Sequence, residues 1–547
     1  MASAVNYLLS LLSLCWLVSP TVDSANILAL FPTASYSHQM PLLALPRALA
    51  QRGHNVTVIT TNPLKEPMPN YTEIDISFTY NYWKSTAGEK RLINLDTKIG
   101  PIEVVNSFIS GTNILTDIQL GSPQVQKFIT YLDKEKPKFD LVLYEDLMHT
   151  SYLGFLHKLD YPPLVSMLTL PLLCGLDLSS GNVCQPSYIS EMIIGRTNKM
   201  SFYYRLEGYL YLLYARLVLA PRIFSAQDAL AKKYFGSSCP STKDMVRNRS
   251  LLLSSSMWIF EYTRPVFPNT IHVGPLHIGD TKPLPQDLAK WVEGGKKGAI
   301  YFSLGSNVKS AALEDSKRTA ILAALARFPD YRIIWKWENE ELEGLPSNVI
   351  CRKWLPQHDL LAHPNIKLFI TQGGLQSLQE AVHFEVPVIG IPFFGDQNYN
   401  VKIIRRLGIG SYMEFEDIHT ETLFENIQEI LNNYDRYKKA VKRASDISKT
   451  QMMSPRDTAV WWVEYLLKAD GNVSHLQPEY WHLTWYEYFG LDVYLFEWNL
   501  AKAFGPLNAP VPHEPLKLSN LMLVASEDQL EATFMLPGAA LDLDHSD

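Results

Sequence analysis

The sequence predicts an α/β protein built as two doubly wound halves that face each other across a cleft. Three observations carry that reading. Short apolar runs of strand length alternate with helical patterns from residue 26 to residue 168. Five prolines, Pro265, Pro268, Pro275, Pro283 and Pro285, then interrupt the pattern and mark a linker. Beyond them the alternation restarts from Ala299. Strands alternating with helices imply parallel sheets covered on both faces. A length of 547 residues is too great for one ordinary core but suits two, and a hinge between them places a ligand crevice there.

The elements follow in order. Tyr7 to Val18 is an apolar run of signal-peptide length, too short to span a bilayer. Val22 and Ser24 supply small residues for cleavage, so residues 1–24 are expected to be a leader. Asn26 to Phe31 is the first strand; residues 39–52 follow at helical spacing, Gly53 ends the helix, and His54 to Thr61 alternates as a strand. Phe139 to Tyr144 and Pro163 to Leu168 extend the same sheet. Residues 188–220 read as one or two helices whose Tyr-rich face lines an acceptor pocket, touches a membrane surface or packs on the domain's own sheet.

In the second half, Ala299 to Leu304, Tyr331 to Trp337, Ile366 to Thr371 and Val386 to Pro392 are strands. Helices are expected over 312–327 and from 375 to about 384. The expected domains are therefore 25–264 and 286–455, joined by a linker over 265–285. A helical segment over 456–504 packs back on the first half, and a tail over 505–547, Pro-rich and acidic at its end, is expected to be disordered.

Composition narrows the function. With 47% hydrophobic and 19% charged residues, a packed interior is expected. The net charge of −7 argues against nucleic acid as a partner, because phosphate binding needs clustered positive charge. After the leader, the best membrane candidate, Phe489 to Phe504, contains Asp492, Glu497 and Lys502; at ~3 kcal/mol per central charge, insertion is costly. The expectation is a lumenal or secreted chain with no C-terminal span. Loss of Cys15 with the leader leaves Cys174, Cys184, Cys239 and Cys351, too few for a disulfide scaffold. Cys174 and Cys184 either close one loop or remain free thiols. Of the sequons at Asn55, Asn70, Asn248 and Asn472, the first opens a core strand, which leaves the other three as glycosylation candidates.

The chemistry concentrates between residues 354 and 397. Gly373-Gly374 follows a buried strand and opens a helix, where backbone N–H groups and positive potential suit a phosphate. Trp354 offers a flat face to a nucleobase, and Gln357 offers donor and acceptor groups to its edge. Glu380, one to two turns into the helix, suits a ribose diol, and Asp396 with Gln397 suits sugar hydroxyls. Ser303-Leu-Gly-Ser306 places small residues at another strand end, suited to a second phosphate, and forms no nucleophile elbow. No Cys/His spacing resembles a zinc site, and Asp542-Leu-Asp544 lies in the tail, so no metal is expected.

The stretch 354–397 resembles the signature of the UDP-glycosyltransferases, with a similar layout from about Ile27 to about Asp492. Its Thr371-Gln-Gly-Gly-Leu-Gln-Ser377 form resembles invertebrate members. The resemblance implies a GT-B fold of two Rossmann-like domains, acceptor in the first and UDP-sugar in the second, and an inverting, metal-independent transfer. It implies UDP-sugar contacts at Ser306, Trp354, Gln357, Gln372, Gly373, Gly374, Gln376, Ser377, Glu380, Asp396 and Gln397. Gln372 stands where many relatives carry His; it keeps a hydrogen-bond donor and loses the option of positive charge. The UDP-sugar is a co-substrate, so no separate cofactor is expected.

His38, just after the first strand, matches the family's catalytic base, and a neutral imidazole suits removal of a hydroxyl proton. Such a base needs a carboxylate behind it. Glu145 and Asp146 close the strand after Phe139; neighbouring strand residues face opposite ways, so only one reaches His38. The count falls on Glu145, while the family's residue type slightly favours Asp146. The expected reaction moves a hexose, glucose in the first instance, onto a hydroxyl of a small lipophilic acceptor. The alternatives are a UDP-glucuronic acid donor, or a non-catalytic protein of the same fold that sequesters lipophilic ligands.

Overall fold

The computed structural model describes residues 24–84, 100–173, 181–196, 200–339 and 342–504, with two short strands at 523–524 and 533–534. The leader, Cys174, Asp542 and Asp544 lie outside the described residues, as does the expected disordered tail apart from those two strands.

Two parallel sheets organise residues 24–478. The first takes β1 (Asn26–Phe31), β2 (Asn55–Thr60), β3 (Tyr71–Asp75), β4 (Leu141–Glu145), β5 (Leu164–Leu168), β6 (Leu251–Ser254) and β7 (Thr270–His272) in the order 3-2-1-4-5-6-7. The second takes β8 (Gly298–Ser303), β9 (Tyr331–Lys336), β10 (Val349–Arg352), β11 (Ile366–Thr371), β12 (Val388–Gly390) and β13 (Gly410–Tyr412) in the order 10-9-8-11-12-13. Both are Rossmann-like. β7 falls inside residues 265–285, so part of the expected linker is the edge strand of the first sheet.

Each central strand is apolar on both faces, as a covered parallel sheet requires. Ile27, Ala29 and Phe31 pack with Leu42, Leu45 and Leu49 of helix α1 (Tyr36–Gln51), whereas Leu28 and Leu30 pack with Phe128 and Leu132 on the opposite face. In the second sheet, Tyr301 and Phe369 face one core and Phe302 and Ile370 the other. Residues 455–468 form a helix that returns to the first half: Arg52 donates two hydrogen bonds to Glu464, at 2.9 and 3.0 Å. The remaining helices of a second compact unit, Glu479 onward, include Trp485–Tyr488 and Leu491–Phe504. Among the described residues no helix is long and apolar enough to cross a membrane.

Residues 188–196 are turns, and helix α2 (Phe202–Tyr214) begins only after them. Tyr203, Leu206, Leu210, Leu213 and Leu217 form an exposed stripe along it and the turn that follows. Asn70, Asn248 and Asn472 are exposed, and so is Asn55 at the start of β2. Cys184 is disulfide-bonded, while Cys239 and Cys351 are free.

Candidate active site

In the first sheet β1 and β4 are neighbours, yet the chain leaves them towards opposite edges. Such a reversal opens a crevice at the carboxyl ends of the two strands. His38 enters it from the first turn of α1, and Glu145, the last residue of β4, enters from the other side. His38 Nδ1 lies 3.2 Å from Glu145 Oε1, and Glu145 Oε2 accepts the Thr33 N–H at 3.1 Å. A carboxylate facing Nδ1 demands an N–H there, which leaves the lone pair on Nε2. Thr169 Oγ1, just past β5, lies 2.9 Å from the same Nδ1.

Asp146 is elsewhere. One residue beyond the strand, it turns to the buried guanidinium of Arg249, bonding Nη1. The slight preference for Asp146 over Glu145 is therefore corrected: opposite orientation along a strand sends the two carboxylates to different partners. His149 is also buried nearby, 2.7 Å from Thr116 Oγ1. Burial pushes it down to about 4, against the raising influence of Glu145.

The second sheet repeats the device between β8 and β11. A glycine in the loop after β8 lets it approach the loop after β11, and a glycine in the latter lets it pack on the helix after Asp396. Gly305 has φ +81°, and a Cβ there would sit 2.4 Å from Gln372 Nε2. Gly373 has φ +83°, and its Cβ would meet Val401 at 2.8 Å. Gly374 is the N-cap of helix α3 (Leu375–His383). The Leu375 N–H is bonded to Asp396 Oδ2 at 3.2 Å. The next two N–H groups, of Gln376 and Ser377, have no acceptor within the helix. That helix end, with Ser306 exposed at the neighbouring loop, is suited to an anion.

Gln357 ties together the expected base and ribose contacts. Its Nε2 donates to Glu380 Oε2 at 2.6 Å and to Ser377 Oγ at 3.0 Å, while its Oε1 accepts from Tyr301 at 3.1 Å. Glu380 is buried, and burial pushes its carboxyl up to about 7, opposed by the Gln357 hydrogen bond. Trp354 remains 57% exposed, its ring meeting Tyr36 of the first half edge-on at 4.9 Å, so a face is open for stacking. Asp396 accepts from Asn400 Nδ2 at 2.6 Å. Burial raises its pKa, opposed by that bond, by the Leu375 N–H and by the charge of His38 across the cleft. Gln397 Oε1 accepts the N–H groups of Phe393 and Phe394, at 2.7 and 3.1 Å, and holds the loop in front of it.

Side-chain hydrogen bonds also join the crevices. Asn307 Nδ2 donates to Ser35 Oγ at 3.2 Å, and Gln376 Nε2 donates to the Thr169 carbonyl at 2.7 Å. Gln376, expected among the donor contacts, thus commits its amide to the opposite half. Thr169 carries no signal in the sequence: a threonine after a short strand has no distinguishing pattern, and only the fold brings it to His38. Among the described residues no three or more His, Cys, Asp and Glu side chains are grouped to hold a metal.

The fold is of the GT-B type, with two Rossmann-like parts, and comparison with known proteins supplies the family. Residues 26–508 match the family described as UDP-glucoronosyl and UDP-glucosyl transferase; the chain belongs to this family. It is 35% identical over 476 residues to UDP-glycosyltransferase UGT5 of Dactylopius coccus, covering 86% of this chain and 89% of that one. It is 33% identical over 499 residues to UDP-glucosyltransferase 2 of the same insect, covering 90% and 93%. Among solved structures, Os79 of O. sativa in complex with U2F and trichothecene aligns with a TM-score of 0.54 at 16% identity, over 80% of this chain and all of that one. The protein is a UDP-glycosyltransferase.

Proposed function

We propose that this chain transfers glucose from UDP-glucose to a hydroxyl of a small lipophilic acceptor, with inversion and without a metal. The observation that carries the reading is the His38–Glu145 pair, placed across the cleft from Asp396 and the α3 N-terminus. His38 Nε2 takes the acceptor proton as the hydroxyl oxygen attacks the anomeric carbon. Glu145 holds the proton on Nδ1 and stabilises the imidazolium. Attack opposite the departing UDP inverts the carbon. The Gly373-Gly374 turn, the free helix N–H groups and Ser306 receive the diphosphate, so its charge needs no cation from outside. Trp354 stacks on uracil, Gln357 and Glu380 hold its edge and the ribose, and Asp396 with Gln397 reads the hexose. Holding both substrates in one crevice supplies much of the acceleration.

The disulfide at Cys184 fits an oxidising, secretory compartment, where Asn70, Asn248 and Asn472 are open to glycosylation. The exposed stripe from Tyr203 to Leu217 fits peripheral contact with a membrane surface, near which lipophilic acceptors concentrate.

The test is UDP release from UDP-glucose over a panel of phenolic and steroidal acceptors, with His38→Ala beside the native chain. Release that requires both an acceptor and His38 is the expected result, the variant falling by about 10²–10⁴-fold. Faster turnover with UDP-glucuronic acid transfers the reading to that donor. UDP-glucose binding with no turnover on any acceptor transfers it to a ligand-sequestering protein.

A further inference from the structure

We propose that Thr169 is a positioning residue that readies His38 for proton removal when the two halves are joined. The proposal rests on the reading of His38 as the base and adds a second support beside Glu145. Thr169 is buried, with its hydroxyl and its carbonyl facing different partners. The hydroxyl oxygen lies 2.9 Å from His38 Nδ1. The carbonyl accepts the Gln376 amide at 2.7 Å, and Gln376 stands two residues after the Gly373-Gly374 turn.

The chemistry of Nδ1 fixes the direction of the first bond. A bare Nδ1 lone pair would face the Glu145 carboxylate at 3.2 Å, which is repulsive. The nitrogen therefore carries the proton and shares it between Glu145 Oε1 and Thr169 Oγ1. Two acceptors on one N–H fix the ring more tightly than one and leave Nε2 as the basic nitrogen. The second bond ties this support to the helix end that receives the diphosphate. A bridge of one residue thus connects the base in the first half to the donor turn in the second, and parting of the halves breaks it.

The test uses the full chain, UDP-glucose and an acceptor turned over by the native enzyme, with kcat and kcat/KM followed against pH. Besides Thr169, the groups facing His38 are Glu145 at the end of β4, His149 beyond it, and Asp396 from the second half. Thr169→Val keeps the shape and removes the acceptor. It is expected to lower kcat by about ten- to a hundredfold, the worth of one hydrogen bond to a charged group, with the donor KM within about twofold. The imidazolium loses an acceptor, so the acid limb of kcat/KM moves to lower pH. Thr169→Ser restores both. Gln376→Met lowers kcat while UDP affinity, read by calorimetry, stays within about twofold; should Thr169→Val fail to fold, this variant tests the bridge from its other end.

A native kcat and acid limb in Thr169→Val, or an unchanged kcat in Gln376→Met, overturns the proposal. So does a loss of UDP affinity in Gln376→Met that matches its loss of kcat, because Gln376 then belongs to the nucleotide. His38→Ala separates the two levels. If it turns over normally, the base reading itself fails; if it is inactive while Thr169→Val is native, only the role of Thr169 fails.

Discussion

The two halves place their chemistry at the same topological point and build it from opposite materials. Each crevice opens where neighbouring strands send the chain to opposite edges, β1 and β4 in one sheet, β8 and β11 in the other. In the first half the working groups are a histidine and a carboxylate in direct contact, with the second carboxylate oxygen bonded to a backbone N–H. In the second half the carboxylates are buried against neutral amides, Glu380 on Gln357 and Asp396 on Asn400, and burial pushes both upward. The first arrangement fixes a proton on one nitrogen so that the other can accept one. The second buries its carboxylates beside neutral donors, an arrangement that, in the proposed reading, meets the hydroxyls of a bound sugar. The proposed reading assigns proton transfer to the first arrangement and polyol recognition to the second.

The largest expected effect breaks the first half into its two carboxylates. Glu145→Gln leaves the shape of the crevice intact and removes the acceptor that holds the His38 tautomer. It is expected to lower kcat by about a hundredfold or more, with little change in melting temperature. Asp146→Asn removes the carboxylate charge facing the buried Arg249 guanidinium. Losing one partner of a buried pair costs ~3–5 kcal/mol, so this variant should melt well below the native chain while the folded fraction turns over normally. Steady-state kinetics and thermal melts on both variants check this. The reverse pattern would return the supporting role to Asp146.

The same contrast explains what could be read from the sequence. The donor crevice is drawn almost wholly from residues 354–397, so its motif survives as a continuous string, and the fold then gathers Gln357, Ser377 and Glu380 into one cluster. The base crevice is assembled from three connections. Glu145 and Thr169 lie 107 and 131 residues from His38, and no local spacing links them. Strand periodicity established that Glu145 and Asp146 diverge, but which one faces His38 depends on sheet order and on Arg249, a residue with no motif. The strands beside the centre were legible from their apolar runs. Short edge strands such as β3, β7 and β13 were not, because three to five residues carry too little pattern. Gln376 is the instructive case: the motif named it, and the fold turns its side chain to the other half.

A smaller effect sharpens the second half. Trp354→Ala removes the open stacking face while leaving the Gln357–Glu380 bond in place. Base stacking is worth ~1–3 kcal/mol, so the KM for UDP-glucose should rise by about five- to a hundredfold, with kcat changed much less. An unchanged donor KM would remove Trp354 from the nucleobase site.

The smallest effect is a pH dependence, and it isolates the buried carboxylate. Glu380 titrates at about 7 rather than 4.5 because burial opposes its charge. Ribose hydroxyls donate best to the ionised form, so UDP affinity should improve as pH rises through 7 and weaken below it, by at most about tenfold per pH unit. In the ligand-free chain the sign is opposite. The folded state binds this proton more tightly than the unfolded state does, so Glu380 stabilises the fold at acid pH, and that contribution is lost as pH rises from 4.5 through about 7. UDP calorimetry and melting curves between pH 6 and 8 read the two signs separately, and Glu380→Gln should flatten both. Equilibrium binding without an acceptor involves no catalytic step at His38, and since the terminal phosphate of UDP also titrates in this range, the share of Glu380 is read as the difference between the native chain and Glu380→Gln. A response that persists unchanged in Glu380→Gln would locate the titrating group elsewhere, with the other buried carboxylate, Asp396, next to be replaced.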